Sequence, residues 1–444
     1  MTRSRSKGGR RLVGGLLLAG IVAAATIGGG HASPVNAADA PSVGIVCTTS
    51  TDPTAGHASF DMSTTSGYIN LPDGNTVFMY GYSIVGQPFQ HPGPVLCVNE
   101  GDVVSITLSN PLTRDVSMMF PGQEGVTVDG TDAQPQFDGS GTLTSLTNVA
   151  AAGGGSVTYT FTASHPGTFV YESGTDPDLQ VRLGLFGALI VRPSLGADYA
   201  NDNPANRFTT TGNTATAHNT EEFLILLSEI DPYLNQAVEA GKTFNMNNYH
   251  PRYWLVNGRG FPDSIADNYA AWLPSQPYGA LARVKEQTAG HPLPGLARYI
   301  NVGTEDFPFH PHGNNGRVIA QDGQPLADGA QDLSYEKFSL DIGPGQTWDV
   351  LFEWYDAEHY SQANPVPVTV PQVANQVFGM FYSGSPYLGQ TGPQPPGNQS
   401  LNQCGEFYII AHNHALFQIT SWGVNMTGPI TYMRIDPADT TNCP

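Results

Sequence analysis

The chain has 444 residues, a length that suits two or three domains of roughly 100–200 residues each. Charged residues make up only 13%, whereas Gly (51) and Pro (35) are abundant, and this composition excludes a coiled coil or another long-helix protein. The 20 Phe and 19 Tyr argue against disorder, and a formal net charge of −20 argues against nucleic acid or anionic membranes as partners. The composition therefore predicts a globular protein rich in turns and β-strands.

Residues 1–37 have the pattern of an export signal. Five basic residues precede an apolar segment at 12–27, and a small-residue cleavage motif follows at 35–37. An uncleaved membrane anchor is the alternative, but the segment is rich in Gly and Ala and barely long enough to span a bilayer. We therefore expect cleavage, a secreted protein, and no membrane association afterwards.

The four cysteines are expected to be oxidised in an exported protein. Cys47 and Cys97 lie near the front of the mature chain, and Cys404 and Cys443 lie near its end. Three pairings are possible, and this clustering favours Cys47–Cys97 and Cys404–Cys443. Metal binding by a cysteine is the alternative, but there is no CxxC motif and no cysteine adjoins a histidine. Structural disulfides are therefore the favoured interpretation.

The chain repeats one order of elements in its two halves. Apolar and polar residues alternate at 157–162 and 348–354, which predicts half-buried strands there. In the first half the predicted order of segments is 103–108, 157–161, 167–171 and 184–192, and in the second half it is 296–302, 348–354, 405–409 and 429–436. Clusters of Gly and Pro separate the strands, and helical periodicity is clearest around 229–240. The repetition predicts two antiparallel β-sandwich domains, at 43–195 and 221–444.

Two segments fall outside this repeated order. Residues 196–220 are polar and rich in Asn, Thr and Ala, and they are predicted to link the two domains. Residues 362–400 are dense in Pro, Gly, Gln and Ser, and they are predicted to form a long surface excursion from the second domain. We assign no role to this excursion.

Four histidines carry the chemical signal. They form two His-x-His pairs, His310 with His312 and His412 with His414, and each pair closes a predicted strand of the second domain. Residues two apart on an extended chain point the same way, so each pair presents two imidazoles together. Neutral imidazoles brought together suit copper or zinc, whereas the simpler alternative is two unrelated pairs bonded to backbone carbonyls. The matching positions favour a metal site, with all four imidazoles in one pocket.

Five segments, spread over nearly all of the chain after residue 37, carry a family resemblance. They are 94–102, 167–171, 184–193, 307–313, and Gly405-Glu-Phe-Tyr followed by His412-Asn-His414. Together they resemble the multicopper oxidases, most closely the secreted bacterial branch with laccase-like and manganese-oxidising members. The resemblance implies an all-β fold of two cupredoxin-like Greek-key β-sandwich domains in tandem. It also implies copper, and oxidation of a small-molecule or metal-ion reductant coupled to reduction of O2 to water.

The resemblance assigns a role to the four histidines. In that family four His-x-His motifs, two from each contributing domain, hold a trinuclear copper cluster between domains. A separate mononuclear copper, held by one Cys and two His, collects electrons from the substrate. His310, His312, His412 and His414 would supply half of the cluster ligands. Two-domain members of the family form trimers whose copper clusters lie between chains. The resemblance therefore implies a homotrimer or a hetero-oligomer here.

The chain departs from the family at the mononuclear site. Phe307 stands where the family usually has a His ligand, and Asn413 stands where it has the Cys ligand. Gln418 occupies the place expected for the other His. No thiolate is therefore placed to form a blue copper site, and the usual entry for electrons is missing.

The first domain is depleted of ligands as well. Aligning the two halves gives the pairs Met119–His310, Pro121–His312, Glu172–His412 and Gly174–His414. Glu172 and Asp176 could ligate a metal, but acids at the edge of a sandwich are more often solvated. The chain thus supplies four of the eight imidazoles that a full cluster requires.

Three interpretations follow from this ligand set. The first is an oxidase-like enzyme whose four histidines lie at an interface completed by another subunit. The second is a secreted protein that binds or sequesters copper on a former oxidase scaffold, without turnover. The third is a structural extracellular module that holds no metal. The chemistry of the ligands favours copper binding over laccase-type turnover.

Overall fold

The computed structural model describes residues 42–210, 221–329, 331–355, 369–370, 400–401 and 407–436. The predicted signal at 1–37, nearly all of the excursion at 362–400, and part of the linker lie outside these residues, as do Cys404 and Cys443. Within the described part of the chain, no helix is long and apolar enough to cross a membrane.

Two main sheets and one two-stranded pair make up the described first half. Its strands are β1 (His57–Asn70), β2 (Thr76–Ile84), β3 (Leu96–Asn99), β4 (Val103–Asn110), β5 (Thr127–Val128), β6 (Thr131–Asp132), β7 (Gln136–Phe137), β8 (Leu143–Ser145), β9 (Gly155–Thr162), β10 (Gly167–Glu172) and β11 (Phe186–Arg192). One main sheet has the order β2-β1-β4-β9-β5-β6, the other has the order β10-β11-β3, and β7 pairs with β8. A short helix, α1 (Pro177–Gln180), precedes β11.

The alternation in β4 shows why these segments become strands. Val104, Ile106 and Leu108 are fully buried on one face, while the residues between them are more exposed. On the antiparallel neighbour β9, Phe161 and Tyr159 lie opposite Val104 and Ile106. The apolar faces of the two sheets meet in one core, which is the arrangement of a β-sandwich.

Larger sheets make up the second half. Its strands are β12 (Glu222–Ile230), β13 (Tyr253–Val256), β14 (Ala282–Lys285), β15 (Gly295–Asn301), β16 (Phe307–Pro311), β17 (Gly316–Gln321), β18 (Gln324–Pro325), β19 (Ala327–Asp328), β20 (Gln331–Asp332), β21 (Tyr335–Lys337), β22 (Leu340–Ile342), β23 (Thr347–Phe352), β24 (Thr369–Val370), β25 (Ser400–Leu401), β26 (Phe407–Asn413), β27 (Thr420–Ser421), β28 (Val424–Asn425) and β29 (Ile430–Asp436). A nine-stranded sheet faces a five-stranded one of order β14-β29-β26-β16-β22 across a second core.

The all-β fold class of two cupredoxin-like sandwiches is thereby confirmed, whereas the boundaries at 43–195 and 221–444 stay a prediction. The helical periodicity around 229–240 corresponds to α2 (Pro232–Glu239). This helix begins after Asp231, whose side chain accepts a hydrogen bond from the Tyr233 N–H, and Pro232 occupies the first turn.

One predicted disulfide is present. Cys47 and Cys97 are bonded across a sequence separation of 50 residues, and they tie the segment before β1 to β3. The pairing of Cys404 with Cys443 falls outside the described residues.

A buried ionic network joins the two halves. Arg298 on β15 is fully buried, and its Nε donates to Glu222 Oε1 at 2.5 Å. Arg192 from β11 donates to the same oxygen at 2.5 Å, and Arg298 also reaches Thr168 of β10 at 2.9 Å. Because buried charges are tolerated only when they are paired, this network fixes how the first half sits on the second.

Candidate metal centre

The two His-x-His pairs lie on neighbouring strands of the five-stranded sheet. β16 and β26 run antiparallel, with His310 directly opposite His412. His312 follows the end of β16 and His414 follows the end of β26, so each pair closes its strand as predicted. The strand register alone therefore gathers the four side chains at one end of the sheet.

The four imidazole rings form one cluster. The separations of ring centroids are 4.7 Å for His310–His312, 5.1 Å for His312–His412, 5.2 Å for His310–His414, 5.6 Å for His412–His414 and 5.8 Å for His310–His412. His312 and His414 are exposed, and His310 and His412 are half-buried. The prediction that the two pairs come together is confirmed, on a surface open to solvent.

Backbone carbonyls orient two of these rings. His310 Nδ1 lies 2.8 Å from the carbonyl oxygen of Phe338, and His412 Nδ1 lies 2.8 Å from that of Asn413. A neutral imidazole that donates its Nδ1–H to a carbonyl keeps a free lone pair on Nε2. That tautomer is the one in which Nε2 can bind a metal ion.

The surroundings favour uncharged imidazoles. Partial burial, followed by the neighbouring histidines, lowers the pKa of His312. Burial also lowers the pKa of His412, although the hydrogen bond to the Asn413 carbonyl opposes the change. A metal ion competes with protons for the same lone pairs, so lowered basicity leaves these nitrogens free at neutral pH.

The imidazole nitrogens are of a type that copper prefers, although they do not enclose a single ion. Nε2 of His312 and Nε2 of His412 are 3.1 Å apart. Two nitrogens that each lie about 2.0 Å from one ion have a similar separation. Yet among the described residues no three His, Cys, Asp or Glu side chains are placed to hold one ion together. The expectation of a four-ligand pocket is thus met only in part, because the rings cluster without converging on one point.

An open depression lies beside the cluster. It has a volume of about 500 Å³ and is lined by His310, His312 and Phe338, together with residues of the loop at 313–315. The lining residues all come from the second half, so the described first half contributes nothing to it. Phe338 is 65% exposed. Phe338 could not be predicted from the sequence. The hydrogen bond between its carbonyl oxygen and His310 spans 28 positions, and no sequence motif marks it.

The three positions that the resemblance assigns to a mononuclear site form contacts with other groups of the second half. Asn413 and Gln418 are fully buried, and the Asn413 amide donates to the Gln418 side-chain oxygen. Gln418 Nε2 donates in turn to Glu305 at 2.8 Å, which also accepts from the Trp254 indole at 2.8 Å. Phe307 is buried in the core. An amide network therefore stands where the resemblance places soft metal ligands.

The first half repeats the geometry without the imidazoles. Met119 pairs with Glu172 in an antiparallel bridge, just as His310 pairs with His412. This bridge supports the alignment of the two halves at Met119 and Glu172. A Cβ at Gly174 would lie 2.7 Å from Met119 Cγ and 2.9 Å from its sulfur. The methionine thus fills the space that a ligand at this position would need.

The two acids singled out in the first half differ in environment. Glu172 is half-buried, and burial raises the pKa of its carboxyl. Asp176 is exposed and precedes α1 in a left-handed conformation, with φ 46°. The structure does not bring these acids into the histidine cluster, and a ligand role for either has no further support.

Comparisons with known proteins agree with this fold. Residues 82–195 match the family model described as multicopper oxidase. The L-ascorbate oxidase of Cucurbita pepo var. melopepo is 35% identical over 114 residues, which cover 26% of this chain and 19% of that protein. Putative laccase-17 of Oryza sativa subsp. japonica is 26% identical over 293 residues, covering 63% of this chain and 43% of that one.

A solved structure extends the likeness to most of the chain. The blue copper oxidase from Nitrosomonas europaea superposes with a TM-score of 0.54, at 18% identity and with 85% of each chain covered. At that identity the superposition supports the fold alone. It defines the class of protein, a tandem of cupredoxin-like β-sandwiches.

Within that class, residues 82–195 match the multicopper oxidase family, and the rest of the chain shares its fold. Copper is the cofactor that this likeness implies. The matched segments span less than half the length of the curated relatives named above, 19% and 43% respectively.

Proposed function

We propose that this chain is a secreted copper-binding member of the multicopper oxidase family. The observation that carries the proposal is the cluster of His310, His312, His412 and His414, set by the pairing of β16 with β26. Imidazole suits copper, and the lone pairs of two of these rings are kept available by hydrogen bonds on the opposite nitrogen. Secretion rests on the signal pattern at 1–37.

Copper binding without independent turnover is the form of the proposal that the ligand set supports best. The positions of the mononuclear site carry Phe307, Asn413 and Gln418, so electrons lack the family's usual entry. The equivalent of the cluster in the first half is filled by Met119 against Gly174. An oxidase reaction with a small-molecule or metal-ion reductant would need ligands and an electron path from elsewhere.

A protein partner is part of the proposal. The four imidazoles face solvent beside the exposed Phe338 ring, and exposed aromatic groups are enriched at interfaces. A homotrimer would bring only first halves that lack imidazoles to this face. A hetero-oligomer whose partner carries His-x-His motifs would complete a cluster of eight.

The test is the amount of copper held after dialysis by the purified protein and by two double variants. We expect His310→Ala/His412→Ala to lose at least about 90% of the tightly bound copper, because removing ligands costs tenfold or more in affinity. His57→Ala/His165→Ala is the matched control, since it removes two exposed imidazoles away from the cluster and should change nothing. Copper retained equally in all three proteins would contradict the proposal.

A further inference from the structure

A second cavity lies where the two halves meet, away from the histidines. Its volume is about 430 Å³, within the range of small-ligand pockets. Asp73 and Phe78 from the first half line one side, and Tyr233, Asn235, Glu239 and Trp422 from the second half line the other. Neither the proposed copper chemistry nor the family resemblance accounts for it.

Aromatic rings dominate one wall of the cavity. Trp422 lies 5.6 Å from Tyr233 and 6.0 Å from Tyr253 between ring centroids, at tilts of 59° and 60°. Trp422 is 45% exposed and Tyr233 is 53% exposed, whereas Tyr253 is buried. Two large rings are thus left open to solvent at the mouth of a concave site.

The backbone at Trp422 is unfavourable for tryptophan. Trp422 and Gly423 form the two-residue turn between β27 and β28, and their φ angles of 49° and 82° are those of a type I′ turn. Asn, Asp or Gly is normally found at the first of these positions, since a bulky residue with positive φ is strained. Strain that is kept at a solvent-exposed residue points to a function of its side chain.

The polar groups of the cavity carry negative charge. Asp73 and Glu239 are its two acids, and none of the described residues that line it is cationic. Asp73 accepts from the Tyr253 hydroxyl at 2.8 Å, and Glu239 accepts from the Tyr68 hydroxyl. Neither carboxylate forms an ion pair within the described part of the chain. Their charge is therefore compensated only by neutral donors.

One buried acceptor is left without a donor. Asn235 is 1% exposed, and its Nδ2 donates to the Phe78 carbonyl at 2.7 Å. Its Oδ1 has no hydrogen-bond partner in the described residues. An unpaired buried amide oxygen is costly, so this atom would favour a ligand that brings an N–H donor.

We propose that this cavity binds an organic ammonium ion, a primary or secondary amine in its protonated form. The Glu239 carboxylate would balance the charge, and Asn235 Oδ1 would accept an N–H. Trp422 and Tyr233 would cover the carbon skeleton and attract the cation through their ring faces. A neutral alcohol of the same shape would keep the contacts with the rings but would lack the positive charge, so it should bind less tightly.

The experiment compares 2-phenylethylammonium with 2-phenylethanol by isothermal titration calorimetry and saturation-transfer NMR. It uses the His310→Ala/His412→Ala protein with a chelator present, so that no amine is held by copper. We expect the amine to bind at least about tenfold more tightly than the alcohol, as charge and cation–π attraction allow. Glu239→Gln should remove that preference.

Trp422→Asn is the decisive variant, because Asn followed by Gly423 is the preferred pair for this turn. The protein should remain folded while the amine is bound at least about fivefold less tightly. Trp272→Asn is the control, since Trp272 is 63% exposed but lies outside the cavity. Three results would each overturn the proposal: equal binding of amine and alcohol, no binding of the amine, or an unchanged affinity for the amine in Trp422→Asn.

Discussion

Single side chains distinguish the two halves at the positions of the histidine cluster. Met119 and His310 occupy equivalent positions in the two halves, as do Gly174 and His414. In the second half the imidazoles face an open surface, whereas in the first half the methionine side chain lies over the glycine. At these positions the first half therefore lacks both the imidazoles and the space that they would need.

The contact between Gly174 and Met119 can be tested by a double-mutant cycle. Gly174→Ala should lower the free energy of unfolding by about 1–3 kcal/mol, because the added methyl group meets the methionine. In a Met119→Ala background the same substitution should cost less, by about 1 kcal/mol or more. Urea unfolding of the four proteins measures the coupling.

Gly139→Ala serves as the control for that cycle. A Cβ at Gly139 would have nothing within 4 Å, and the residue does not adopt a positive φ. This substitution should leave stability within about 0.5 kcal/mol of the parent. Strictly additive effects of Gly174→Ala and Met119→Ala would show that the two side chains do not compete for space.

At the scale of elements, strand pairing was predictable where the pattern of burial is simple. The alternation at 103–108 and 157–161 marks β4 and β9, since one face of each strand enters the core. The His-x-His pairs could be placed at strand ends for the same reason. Their meeting follows from the pairing of β16 with β26, which the structure shows.

Other features of the site could not be predicted, because they depend on long-range contacts. The Phe338 carbonyl that orients His310 follows no motif, and neither does the hydrogen bond of Gln418 to Glu305, 113 residues earlier. The failure of the four imidazoles to converge on one point is also a matter of side-chain rotamers. A sequence specifies those only through packing.

At the scale of the whole molecule, the ionic network around Arg298 holds the two sandwiches together. Burial by itself would raise the pKa of Glu222, but Arg192 and Arg298 outweigh it and hold the pKa at about 2, against an ordinary value of 4.5. A carboxyl with a lowered pKa in the folded state stabilises the protein above its unfolded pKa. That contribution is lost as the pH falls from about 4.5 towards 2.

The free energy of unfolding of Glu222→Gln should therefore be about 3 kcal/mol lower than that of the parent at pH 7. This gap in stability should narrow as the pH falls below about 4.5. Asp349, the other acid bonded to Arg298, is present in both proteins. Urea unfolding at pH 7 and at pH 3 measures the gap. Glu124→Gln, at an exposed position, is the control and should show no gap at either pH. A gap that stays constant between the two pH values would contradict the assignment.

We propose that copper binds to imidazoles at an open surface and not to a thiolate in a blue site. The most direct measurement is the visible absorption and electron paramagnetic resonance of the protein loaded with Cu(II). We expect weak visible absorption and hyperfine coupling to imidazole nitrogen, and we expect this coupling to be absent in His310→Ala/His412→Ala. An intense blue band with the narrow copper hyperfine splitting of a thiolate site would contradict it.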